Sequence, residues 1–109
     1  MNWIDLNDIE QIGQIRELSN TKPQVIFKHS TRCFISSMIK ERLERKEPPD
    51  HTDFYFLDLL RHRQLSNKIA SDFSVHHESP QILLIKNGEC VYEESHNGID
   101  MAEIAEQVK

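Results

Sequence analysis

The chain is expected to fold as a single α/β domain, residues 1–109, in which a central mixed sheet lies between helix layers. Two features predict this. Short apolar runs alternate with amphipathic stretches along most of the 109 residues, the pattern of parallel strands joined by right-handed helical crossovers. Near the end the alternation breaks. Asn87-Gly88 joins two strand-like runs, and because both residues accept positive φ, the pair marks a type I′ hairpin and an antiparallel addition to the sheet.

Each element has its own warrant. Trp3-Ile4-Asp5-Leu6 reads as a short first strand. Asn7 and Glu10 then have capping-box spacing, and Ile9, Ile12, Ile15 and Leu18 recur near the helical period, so a helix follows until Asn20 to Pro23 ends it. Val25 to Lys28 is the second strand. A second helix is expected from Phe34 to Lys46, with Ile35, Met38, Ile39 and Leu43 on its buried face and Lys40, Glu41, Glu44 and Arg45 in water; Pro48-Pro49 stops it. The aromatic run Asp53 to Asp58 is the third strand, and Leu65, Ile69 and Phe73 mark the third helix. Gln81 to Lys86 is an apolar strand with Cys90 to Glu93 as its antiparallel partner. Asp100 and Glu103 suggest a capping box for the last helix, Ile99 and Ile104 a hydrophobic staple, and Met101, Ile104, Ala105 and Val108 its buried face. The order is β-α-β-α-β-α-β-β-α.

Composition excludes several classes. Hydrophobic residues make up 38%, with only three glycines and four prolines, which argues against disorder and low-complexity repeats. No run approaches the roughly 20 apolar residues of a membrane span. The N-terminus lacks the basic and apolar regions of a signal peptide, so the expectation is a cytoplasmic protein with no membrane partner. A net charge of −5 argues against nucleic acid, whose phosphates need a basic surface. In a reducing compartment the two cysteines are more often free than paired.

Cys33 carries the strongest chemical signal. It follows the strand Val25-Ile26-Phe27-Lys28, the polar run His29-Ser30-Thr31-Arg32, and precedes a helix. Orphan N–H groups and the positive end of the dipole at a helix start favour thiolate over thiol, as does a neighbouring cation such as Arg32. Thr31 and Ser36 supply hydroxyls that could donate to the thiolate, while Ser30 or Thr31 could instead simply cap the helix.

The segments Phe27-Lys28-His29-Ser30-Thr31-Arg32-Cys33, Ile35-Ser36-Ser37-Met38, His77-Glu78-Ser79-Pro80-Gln81 and Ser95-His96 together resemble the monothiol bacilliredoxin family, within a thioredoxin-like fold. The resemblance implies that Cys33 is the redox nucleophile, that Ser36 stands where dithiol relatives carry a second cysteine, and that Pro80 is cis with Ser79 before it. It implies no bound cofactor, bacillithiol as a small-thiol co-substrate, and bacillithiolated or otherwise oxidised client proteins as partners. One position departs from the family's habit of proline or a small residue after the cysteine: Phe34 sets an apolar ring there.

Exchange at Cys33 would proceed through a mixed disulfide, and with Ser36 in place of a second thiol the resolving sulfur must come from another molecule. Cys90 is expected to be a strand residue without redox function, because the strand from Gln81 carries the chain roughly 15 to 20 Å from the Pro80 end before Cys90 begins the return. The return brings His96 back to the Cys33 end. His96 is therefore the histidine expected nearest the thiol, with His29 and His77 next, as proton donor or ligand-binding group. The cysteine and histidine spacing matches no zinc pattern. The rival function is a non-catalytic thioredoxin-like adaptor that binds a partner through Phe34 and a hydrophobic rim.

Overall fold

The computed structural model describes residues 1–109. In chain order it contains β1 (Trp3–Asp5), α1 (Glu10–Leu18), β2 (Gln24–His29), α2 (Phe34–Glu44), β3 (Asp53–Asp58), α3 (Arg63–Asp72), β4 (Gln81–Lys86), β5 (Glu89–Ser95), a single 3-10 turn (His96–Gly98) and α4 (Met101–Val108). The element order is the one expected from the sequence. The five strands lie in the order β1-β3-β2-β4-β5. β1, β3 and β2 run parallel, whereas β4 and β5 are each antiparallel to their neighbours.

All six residues of β2 are buried, as befits a central strand covered on both faces. One face packs Ile26, Tyr55, Leu57, Leu83 and Ile85 under α1 and α3 through Ile12, Ile15, Leu65 and Ile69. The other packs Val25, Phe27, Phe54, Ile82 and Leu84 under α2 and α4 through Ile39, Leu43, Met101 and Ile104. Trp3 stacks on Phe27 at 5.6 Å between ring centroids and donates from Nε1 to Glu44 at 2.7 Å, tying the end of α2 to the sheet. No helix is long and apolar enough to cross a membrane.

Three local expectations are corrected. The Asn7–Glu10 capping box does not form: Gln11 Oε1 accepts the Asn7 and Asp8 amides at 2.8 and 2.9 Å, and Asp8 Oδ1 accepts the Glu10 amide at 2.9 Å. The helix consequently starts at Glu10, and Ile9 and Leu18 are exposed. At α4, Asp100 makes no side-chain cap bond, although Ile99 and Ile104 are both fully buried in one cluster. The buried line of α2 is Ser36, Ile39 and Leu43, rotated from the expected face, so Ile35 and Met38 point to water.

The hairpin is as expected, with Asn87 at φ 53° and Gly88 at φ 80°. β5 continues to Ser95 because it keeps pairing with β4 as far as Gln81. Leu84 faces Tyr92 and Ile85 faces Cys90, so Val91 is the extra residue of a bulge.

Register decides which loops meet. Lys28 pairs with Gln81 and Gln81 with Ser95, while His29 pairs with Asp58. The ends of β2, β3 and β5 and the start of β4 therefore share one end of the sheet, which is the end from which the Cys33 loop, Ser79-Pro80 and His96 emerge.

Candidate active site

β2 delivers the chain to a tight turn in which the Cys33 amide donates to the Ser30 carbonyl at 3.1 Å. Cys33 is the N-cap of α2, with φ −101° and ψ 118°, and no side chain caps the helix. Its carbonyl accepts the Ser37 amide at 3.1 Å, the first bond of the helix. The amides of Phe34 to Ser36 are thus left without intrahelical partners at the position the thiol occupies. The thiol is free and half-buried.

Ser36 does not behave as expected. Its side chain is fully buried, and its Oγ accepts the Ser30 amide at 3.1 Å and shares a 2.7 Å hydrogen bond with His29 Nδ1. The hydroxyl therefore braces the turn from beneath and makes no bond to sulfur. Thr31 and Arg32 are exposed, and neither caps α2. Phe34 is 76% exposed and, with Ile35 and Met38, forms an apolar rim on the first turns of α2.

The three candidate histidines go to three different places. His29 is buried between Phe27 and Phe56, at 5.7 and 5.2 Å between centroids; burial first, then the Lys40 charge, pushes its pKa down. His77 lies on the opposite face. There its Nδ1 meets Lys28 Nζ and Ser66 Oγ, each at 3.3 Å, and burial and then Lys28 lower its pKa. His96 is half-exposed at the site end, in left-handed conformation with φ 55°. Its amide donates to the Pro80 carbonyl at 3.0 Å, and its Nε2 points to Glu78 at 3.9 Å, a group that His76 also approaches at 3.6 Å.

The Ser79–Pro80 peptide bond is cis, as the family resemblance implied. Ser79 Oγ is buried without a hydrogen-bond partner. The segment before it is gripped by Gln81, whose Nε2 donates to the His76 carbonyl at 3.0 Å and whose Oε1 accepts the Glu78 amide at 3.3 Å. Nothing local in the sequence marks Gln81 and Lys28 as residues that hold this segment. The only available signal was their polarity inside otherwise apolar strands.

Cys90 pairs with Ile85, which in turn pairs with Gln24 at the start of β2. It is thus level with the far end of the strand that leads to Cys33, and it packs against the α1 and α3 cluster. Its Sγ donates to the Tyr92 carbonyl at 3.3 Å, and burial pushes its thiol up. No group of three cysteine, histidine or acidic side chains is arranged to hold a metal ion.

Comparison with known proteins agrees with this architecture. A solved structure described as a candidate oxidoreductase with a thioredoxin fold superposes with a TM-score of 0.81 at 32% identity, covering 97% of this chain and 93% of that one. Thioredoxin from Malassezia sympodialis, Mala s 13, matches with a TM-score of 0.73 at 20% identity over 98% of this chain and 88% of its own. Fasciola hepatica thioredoxin gives 0.72 at 19%, over 96% and 98%. These two establish the thioredoxin-like fold. The family model of monothiol bacilliredoxin BrxC matches residues 4–104. The chain belongs to the monothiol bacilliredoxin family, and family and fold together make it a thiol oxidoreductase.

Proposed function

We propose that the protein removes bacillithiol from client mixed disulfides in the cytoplasm, with Cys33 as nucleophile. The observation that carries this reading is a lone, half-buried thiol at the uncapped start of α2, with the chain's other thiol, Cys90, at the other end of the sheet. The Cys33 thiolate attacks the bacillithiol sulfur of the mixed disulfide; the client sulfur leaves as a thiolate and takes a proton from solvent or a nearby acid. A Cys33–bacillithiol disulfide results. A second thiol from solution then attacks that disulfide and regenerates Cys33, so the oxidising equivalent passes through the protein without remaining on it.

The remaining site residues have supporting roles in this reading. The amides of Phe34 to Ser36, unpaired within α2, are donors that a sulfur anion formed at Cys33 during exchange could use, while Thr31 and Arg32 lie exposed on the turn before it, where they can meet the client. Ser79 offers backbone with which an extended client segment can pair, the Pro80 carbonyl being taken by the His96 amide, and His96 is assigned the protonation of the leaving thiol.

Intact mass spectrometry of reduced protein mixed with a bacillithiolated client tests the proposal. The expected result is one bacillithiol adduct on the wild type and none on Cys33→Ala; no adduct on the wild type, or equal adducts on both, would overturn it.

The exposed rim of Phe34, Ile35 and Met38 favours a second reading, a binding module that holds a partner without exchange. Phe34→Ala separates the two. Partner retention lost while thiol exchange on a small disulfide persists at the wild-type rate would speak for a docking rim on an enzyme. Partner binding that survives Cys33→Ala, in a protein with no exchange activity, would speak for the adaptor.

A further inference from the structure

Lys28 is charged in a place that does not favour charge. Its side chain is fully buried in the central strand, and its Nζ has only neutral partners, the Ser66 carbonyl of α3 at 3.2 Å and His77 Nδ1 at 3.3 Å. Burial pushes its pKa down to about 8. For stability alone an apolar residue of similar volume serves such a position as well or better, so the ammonium calls for another explanation.

The hydrogen bonds supply one. Lys28 and Gln81 are cross-strand partners in the β2–β4 ladder, so their side chains rise from the same face. Both reach the same stretch of chain: Lys28 holds the His77 ring, while Gln81 holds the His76 carbonyl and the Glu78 amide. Three consecutive residues are thereby fixed to the sheet immediately before Ser79 and Pro80. An ammonium has donors only, so in this bond His77 Nδ1 accepts, which keeps the imidazole neutral with its proton on Nε2. Ser66 completes the cluster from α3.

We propose that Lys28 is a positioning residue for the redox site, fastening His77 to α3 and so fixing, together with Gln81, the segment that presents Ser79 and Pro80 at the Cys33 end of the sheet. This rests on the reading that Cys33 exchanges with client disulfides. It predicts that loss of the fastening weakens client engagement and leaves the chemical step almost unchanged.

The test compares the full-length wild type with Lys28→Met, His77→Leu and His77→Gln, the last of which keeps an acceptor for Lys28. Two quantities are read: amide hydrogen exchange of residues 74–79, and KM and kcat for a bacillithiolated client with bacillithiol as the resolving thiol. Lys28→Met and His77→Leu are expected to speed segment exchange at least fivefold and raise KM at least fivefold, with kcat within twofold; His77→Gln is expected to stay within twofold of wild type in both. Unchanged segment exchange in Lys28→Met, or faster exchange with an unchanged KM, overturns the proposal. Should Lys28→Met fail to fold, His77→Leu against His77→Gln decides by the same criteria. If the wild type itself shows no thiol exchange, the reading of Cys33 falls and the positioning role with it, while the hydrogen-exchange arm still reports separately whether Lys28 fastens the segment.

Discussion

Ser36 lies three residues after Cys33, and its hydroxyl is engaged beneath the turn by the Ser30 amide and His29. Removing it leaves the buried His29 Nδ1 and the part-buried Ser30 amide unpaired, so Ser36→Ala is expected to lower stability by about 1–3 kcal/mol, read as a shift of the urea midpoint at constant slope. Cys33 itself was legible from the sequence, because a thiol between a strand and a helix is a local pattern. The role of Ser36 was not. Its partner His29 lies seven positions away on another element, and a serine three residues into a helix carries no mark that it will be buried. The part played by Lys28 is hidden in the sequence for the same reason: its acceptors come from α3 and from the loop before β4.

At the scale of elements, strands and their order could be read from apolar runs bounded by turn residues, whereas the rotation of α2 could not. Phe34, Ile35, Met38 and Ile39 offer two apolar stripes, and only packing against the sheet selects the one that continues through Ser36, Ile39 and Leu43. The rejected stripe becomes the exposed rim beside Cys33. Because Phe34 is 76% exposed, Phe34→Ala is expected to change stability by less than about 0.5 kcal/mol, checked by thermal melting. The helix caps also differed from expectation, since Gln11 and Asp8 reached the amides that Asn7 was expected to serve. The hairpin was the clearest local signal. Gly88 at φ 80° has no room for strain-free substitution even though a Cβ there would meet only Arg16 Cγ at an ordinary 3.6 Å. Gly88→Ala is therefore expected to cost about 1–2 kcal/mol through the backbone alone, measured by the same denaturation.

The molecule as a whole should show a stability profile with two rising limbs. Burial, the largest cause at both residues, lowers the pKa of His29 and His77 below the ordinary 6.5, so below that value the unfolded chain binds more protons and stability climbs as pH rises toward 6.5. Lys28 adds a second limb. Between about 8, where it titrates in the fold, and 10.5, where it titrates unfolded, the unfolded chain again binds more protons and stability rises. Cys90, raised by burial from 9.0, and Tyr55, pushed up by burial to about 12, act in the opposite sense above their ordinary values and should turn the curve downward. Denaturation measured from pH 5 to 11 is expected to show the rise beginning near 8 in wild type and its absence in Lys28→Met. The sheet also ends in two open edges. β1 spans three residues, and β5 carries Glu89, Glu93 and Glu94 together with a bulge at Val91. A stray strand approaching β5 meets repelling carboxylates and a broken register, and one approaching β1 finds almost nothing to pair with. Such borders guard against fibril growth, so the fold can tolerate an oily patch beside its thiol without becoming a seed for aggregation.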